Sequence, residues 1–348
     1  MTPFRALALA ILIIFPSSMP VLSHQDDGRS LGMVLTAAQD GDSERASALA
    51  HAAGVTRVPL TYAWGLLEPE PGEYDDSTLA MAALYLPAMG MALDIAITPI
   101  AGKRLVMPSD LAGRDFDDPE VIQRYVKLID HVMTVLAGSD VGLLLVGVEV
   151  DTLLGNDDDS WTEFATFTAA VADYVHTIRP EIEVGVQSTT YSRLDDPAHW
   201  SEIDAVTDII ATSYYPLDGL IARDLSEISS DFDALTTLYP NRIIRLVEAG
   251  FPSSQANGSS SEIQAQFIHA LFAAWDEHST QIRSITLSVE HDFSHSQVDA
   301  IVAFYGNDRD RYATFIGSIG LRTWEGDGAP KPAWDVLMQE TAARGWQP

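Results

Sequence analysis

The stretch "LLLVGVEVD" (residues 143–151) is an apolar run of strand length with one carboxylate, Glu149, near its end. Burying an ionised group is expensive unless it is paired or used chemically. The same shape recurs in "RIIRLVEAGFP" (242–252), where Glu248 closes the run. The glutamates are 99 residues apart, which corresponds to three repeats of about 33 residues in a chain built from strand–helix units.

The rest of the chain supplies such units. Strand candidates "LGMVLT" (31–36), "VTRVPLTYAW" (55–64), "ALDIAITPI" (92–100), "VGLLLVGVEV" (141–150) and "IEVGVQST" (182–189) are followed by "VTDIIATSYYP" (206–216), "RIIRLVEAG" (242–250) and "IRSITLSVE" (282–290). Amphipathic stretches of helical period lie between them, among them "DPEVIQRYVKLIDHVMTVLAG" and "SEIQAQFIHALFAAWDEH". Eight strands alternating with helices over roughly 300 residues predict a single-domain (β/α)8 barrel. An open doubly wound sheet is the alternative, but no glycine-rich phosphate loop follows the first strand. In a barrel, the strand ends that carry Glu149 and Glu248 open onto one mouth, with the loops near 101–117, 190–205 and 251–261.

Composition narrows the function classes. The chain has 348 residues, 47% of them apolar, so a large core is available. Its net charge of −30 argues against a nucleic-acid or anionic-membrane partner. Cysteine is absent, which removes disulfides, a thiol nucleophile and thiolate metal sites. The N-terminus carries one early cation, Arg5, and an apolar run from Ala6 to Phe15 that is too short to span a bilayer. Residues 1–23 read as an export signal, with Val21 and Ser23 at the −3 and −1 positions, and residues 24–348 as the barrel domain. An uncleaved anchor is the alternative reading. The expected location is secreted or periplasmic, with no membrane attachment after cleavage and an open oligomeric state.

Two carboxylates facing each other across a cleft suit retaining glycoside hydrolysis, in which one protonates the leaving oxygen and the other attacks the anomeric carbon, with the pair about 5–5.5 Å apart. The "EHDFSH" run groups Glu290, His291, Asp292 and His295, but this reads as a polar loop at the mouth and no metal site is assigned. "NGS" at 257–259 is a formal glycosylation sequon used here only as a loop signal. Neither a Ser nucleophile elbow nor an HExxH is present. No cofactor is called for, and the partner expected is a carbohydrate substrate.

With these residues in view, the chain resembles the clan of retaining (β/α)8 glycoside hydrolases, and within it the arabinogalactan endo-β-1,4-galactanases. The matching stretches are "VGVEVDTLLG" (146–155), "TDIIATSYYPLDG" (207–219), "RIIRLVEAGFP" (242–252), "VTRVPLTYAW" (55–64), "LLEPEPGEYD" (66–75) and "GLRTWEGDGAPKPAWDVL" (320–337). The resemblance implies Glu149 as acid/base and Glu248 as nucleophile. It implies Arg57 as the cation on Glu248, and Tyr214 or Tyr215 as its phenol donor. Trp64, Gln187 and Trp324 are expected to support the substrate. The chain departs from the clan at Val148, where an asparagine usually precedes the acid/base. It also lacks the histidine of strand three in "ITPIAGK" and the tryptophan of strand eight in "ITLSVEHDFS". The implied function is hydrolysis of a β-linked poly- or oligosaccharide. The competing reading is a carbohydrate-binding barrel with little catalysis, and a transglycosylase would use the same carboxylates.

Overall fold

The structure, a computed structural model, describes residues 28–305 and 309–348. The export signal expected at 1–23 lies outside the described residues. Eight parallel strands close on themselves: β1 (Ser30–Met33), β2 (Arg57–Ala63), β3 (Ala92–Thr98), β4 (Val141–Val148), β5 (Glu183–Thr189), β6 (Ile210–Tyr214), β7 (Ile244–Ala249) and β8 (Ile282–Leu287). Each pairs with the next, and β1 pairs with β8 to complete the ring. This is the (β/α)8 barrel expected from the alternating pattern. All eight strands fall within the stretches singled out in the sequence, except that β1 begins one residue earlier, at Ser30.

The helices form for local reasons. Asp118 caps Pro119–Val135 by accepting the Glu120 N–H, and Pro119 occupies the first turn, where a missing N–H costs nothing. That helix turns Val121, Tyr125, Leu128, Ile129 and Val132 inward at helical spacing. Ser260 caps Ser261–Glu277 in the same way, through the Ile263 N–H. Outward-facing strand residues such as Ile95, Leu144, Leu246 and Ile285 meet these helices in one continuous core. Asn257 of the formal sequon is fully buried, and its Nδ2 donates to the Leu220 carbonyl at 2.8 Å, so it serves as internal scaffolding.

Inside the barrel two layers differ in chemistry. At the N-terminal end Arg57 donates to both oxygens of Asp94, at 2.6 and 3.0 Å, and Arg245 pairs with Glu183 while lying 3.9 Å from Asp94. Arg57, Asp94 and Arg245 are nearly buried, Glu183 is about a third exposed, and the four form an ionic floor. Above them Ala96, Leu143, Leu145, Val148, Ala211 and Val247 fill the middle with carbon. The carboxylates of interest lie above that plug.

Sequence reasoning placed no element between residues 295 and 316. The structure has two helices there, His295–Tyr305 and Arg309–Ile316, and they pack over the mouth beside β8. Among the described residues no helix is long and apolar enough to cross a membrane.

Candidate active site

Glu149 and Glu248 both reach one cavity of about 550 Å³ at the C-terminal mouth. Both arrive there by the same device. From Leu145 to Val148, β4 advances three residues while β5 advances two, from Gly185 to Gln187. From Leu246 to Glu248, β7 advances two residues while β6 advances one, from Thr212 to Ser213. Each strand thus carries one extra residue just before its glutamate, and a bulge of this kind re-aims the side chain that follows. On β7 strict alternation would place Glu248 with the outward Ile244 and Leu246, but the bulge lets Val247 and Glu248 both face inward. Glu149 has φ of +49°, a left-handed conformation that costs a non-glycine residue about 1–2 kcal/mol. Its backbone N–H donates to the Gln187 carbonyl at 2.8 Å, which holds the kink in place.

The two carboxyl groups differ in surroundings. The pKa of Glu149 is pushed up to about 7, first by burial, then by the charge of Glu248 and then by Asp151. Ser213 opposes this weakly through a 3.4 Å hydrogen bond. Burial also raises Glu248, but the Tyr215 hydroxyl, 2.9 Å from Oε2, pulls it back down. Gln187 beside it acts in the same direction, with Nε2 short of a well-formed hydrogen bond. Burial thus acts on both carboxyls, and the hydrogen bond from Tyr215 favours the ionised form of Glu248. Gly250 makes the tyrosine contact possible. A Cβ there would come within 2.7 Å of the Ser288 carbonyl and 2.8 Å of the Tyr215 ring.

The remaining expectations divide. Of the two tyrosines, Tyr215 meets Glu248, whereas Tyr214 points out of the barrel and donates to Asp231 at 2.9 Å. Gln187 does border the site. Arg57 does not: it opens β2, and six residues at about 3.3 Å each put it roughly 20 Å from the mouth, down in the floor. Trp64 is also displaced. It begins the one-turn helix Trp64–Leu67, which swings its indole into the layer between barrel and helices, where Nε1 donates to Glu68 at 2.7 Å. Trp324 sits on a loop whose carbonyl accepts the Gln39 N–H, and it takes no part in lining the cavity. In the "EHDFSH" run the Glu290 carboxylate has no hydrogen-bond partner among the described residues and lies 3.8 Å from His291. Glu290 is fully buried, His291 bonds the Thr36 carbonyl, and Asp292 pairs with Lys331 at 2.7 Å. Val148 packs in the apolar plug.

The sequence reading missed Ser213, Tyr191, Phe293, Tyr305 and Tyr312, all of which line the cavity. Burial raises the Tyr305 and Tyr312 hydroxyls, with further contributions from the charges of Glu149 and Glu248. These tyrosines stand on two separate helices, so no period in the sequence marks them as neighbours.

No family model matches the chain, and no curated protein matches it in sequence. Solved structures match it in three dimensions. A family 5, subfamily 18 glycoside hydrolase from Bifidobacterium longum subsp. longum aligns with TM-score 0.71 at 15% identity, covering 92% of this chain and 79% of that one. The chain shares the barrel of the glycoside hydrolases. A variant of the same subfamily from Streptomyces cattleya, in complex with Manβ1-4GlcNAc, gives TM-score 0.71 at 17% identity, over 92% of this chain and 81% of that one. An exo-β-1,4-mannosidase from an Opitutaceae bacterium gives 0.69 at 15% identity, over 90% of this chain and 59% of that one. The galactanase likeness read from short motifs is not met at that level. These neighbours are subfamily 18 and mannosidase structures, and identities this low carry the fold without a specificity.

Proposed function

We propose that the protein is a retaining glycoside hydrolase acting on a β-linked glycoside. The observation that carries this reading is the asymmetry of the pair: both carboxylates reach one cavity, where the Tyr215 hydroxyl bonds Glu248 while burial, and then the charge of Glu248, raise Glu149. In the first step a Glu248 oxygen bonds to the anomeric carbon as the bond to the leaving oxygen breaks, and Glu149 delivers its proton to that oxygen. In the second step Glu149, now ionised, takes a proton from water as the water oxygen attacks the same carbon and frees Glu248. Tyr215 stabilises Glu248 in its ionised form before attack. No step calls for a cofactor.

A carbohydrate-binding barrel with little turnover is the second reading, because Val148 puts carbon where the clan carries an amide. One experiment separates the two. The protein is incubated with 2-deoxy-2-fluoro β-glycosides of the manno, gluco and galacto series, and the digested protein is examined by mass spectrometry. Covalent label on Glu248, lost in Glu248→Gln, is the expected result. Sugar binding without label or turnover in any series would establish the second reading instead. Manno substrates come first in the panel because structural neighbours are named for mannosides. Export through residues 1–23 belongs to the same proposal, and sequencing the N-terminus of the mature protein tests it.

A further inference from the structure

The cavity that holds the two carboxylates is walled by carbon. Away from Glu149 and Glu248 its surface comes largely from Leu217, Leu220, Val289, Ile301, Phe315 and Ile316. Val289, Phe315, Ile316 and Ile319 form an apolar cluster of their own, with Phe293 and Tyr312 packed against it. Among the described residues the lining includes no Asn, Asp, Gln, His, Lys, Arg or Trp. Its hydrogen-bonding side chains are two carboxylates and eight hydroxyls, and its ring faces are those of Tyr and Phe.

Five of the eight hydroxyls that reach the cavity are already engaged, and among the described residues those of Ser288, Tyr305 and Tyr312 make no hydrogen bond. Thr189 Oγ1 accepts the Ser192 N–H at 3.1 Å, and Thr190 Oγ1 donates to the Ser213 carbonyl at 2.9 Å. The Tyr191 hydroxyl donates to Asp231 at 2.9 Å, Ser213 to Glu149, and Tyr215 to Glu248. A sugar leaving group would give up its water there and find few partners, which is costly for each unsatisfied hydroxyl. A hydrocarbon or aromatic leaving group would gain by the same burial. On the other side of Glu248, a smaller cavity of about 330 Å³ is bordered by Gln187, whose buried Nε2 has no partner. Across the two cavities Gln187 is the one amide among the described residues, and the walls of both are otherwise mainly carbon.

We infer that the leaving group is an extended apolar aglycone, alkyl or aryl, so that the substrate is an amphiphilic β-glycoside. This rests on the glycosidase reading and sharpens its substrate class. Bond making and breaking are unchanged: the aglycone leaves as an alcohol or phenol carrying the Glu149 proton.

The test is calorimetric titration of the full-length Glu248→Gln protein with methyl, hexyl, octyl and 2-naphthyl β-glycosides and the matching β-1,4-disaccharide, in three sugar series. Affinity should rise with alkyl length by roughly threefold to fourfold per buried methylene until the cavity is full. The heat-capacity change should be negative, and the disaccharide at least about tenfold weaker than the octyl glycoside. Affinity independent of chain length, or tightest for the disaccharide, overturns the inference. Naphthyl binding tighter than hexyl assigns an aromatic source, and the reverse a lipid-like one. With Ile301→Asn added in the cavity wall, the octyl-to-methyl affinity ratio should fall about tenfold, and an unchanged ratio counts against the assignment. Covalent labelling of Glu248 by 2-fluoro sugars is scored separately. Label without chain-length dependence removes the aglycone class alone, and chain-length dependence without label removes the glycosidase reading alone.

Discussion

Replacing Tyr215 with phenylalanine isolates one hydrogen bond at Glu248, the proposed nucleophile. The hydroxyl lies 2.9 Å from Glu248 Oε2 and is one of two groups holding that buried carboxylate down. A hydrogen bond to a charged group contributes about 1.5–3 kcal/mol. At 1.36 kcal/mol per pKa unit, its loss raises Glu248 by about 1–2 units. The proposed mechanism requires Glu248 ionised and Glu149 protonated, so it bounds kcat/KM on the acid side by the first group and on the alkaline side by the second. Raising the lower bound closes the window from the acid side. The expected result for Tyr215→Phe is a loss of about 10–100-fold in kcat/KM on the acid limb, a smaller loss at the optimum, and a visibly narrower profile. The apparent values belong to the coupled pair, so whole profiles are compared rather than single midpoints. Tyr214→Phe is the control. It removes a donor to Asp231 outside the barrel, costs about 1–3 kcal/mol of stability, and leaves the acid limb where it was. An unmoved acid limb in Tyr215→Phe, or a shift as large in Tyr214→Phe, would refute the assignment of Tyr215 to the nucleophile.

Other consequences are open to the same kind of measurement. With Glu149 pushed up to about 7, kcat/KM should fall as pH rises through that value, and a plateau extending beyond pH 9 would show that another group donates the proton. The same shift has a stability consequence. An acid whose folded pKa is raised binds more protons when folded, so it costs stability as pH climbs from its unfolded value through about 7. Glu149→Gln should therefore be more stable than wild type at pH 8 and equal to it near pH 4, as read by urea denaturation. Arg57→Met leaves Asp94 buried with only the more distant Arg245, and should lose about 3–5 kcal/mol in urea without moving either limb of the pH profile. A moved acid limb there would instead place Arg57 functionally at Glu248. Val148→Asn buries an amide in the apolar plug and should cost about 1–3 kcal/mol with no gain in kcat, and a gain would show that the position can still serve the sugar.

The barrel was legible because its strands are covered on both faces and read as near-continuous apolar runs, with helices of clear period between them. Glu149 and Glu248 were legible as the charges those runs do not explain. Much of what surrounds them was not. Whether Tyr214 or Tyr215 meets Glu248 turns on which face of β6 points inward, and adjacent residues on a strand point opposite ways. The position of Arg57 was in fact readable, since the first residue of a strand lies at the far end from the mouth, but the family pattern suggested otherwise. Trp64 was misplaced because it stands one residue past its strand, where the backbone has already turned helical. The aromatic cover from Tyr305 and Tyr312 depends on how a late helical pair folds back over the mouth, which no local pattern encodes.

The two bulges place the catalytic chemistry in the counting of residues as much as in their identity. Removing Val247 would restore regular pairing on β7 and leave Glu248 directly after the outward Leu246, still opposite Ser213 and still facing inward, with only the plug losing a side chain. Flattening the bulge with Val247 retained would instead turn Glu248 toward the helices and silence the site while sparing most of the fold. By the same rule, inserting one residue without a bulge into a regular strand of a barrel without activity could bring an outward carboxylate to the mouth. In lineages of such barrels, a gain of activity by that route would be recorded as a single-residue gap in a strand alignment, where a search confined to substitutions would miss it.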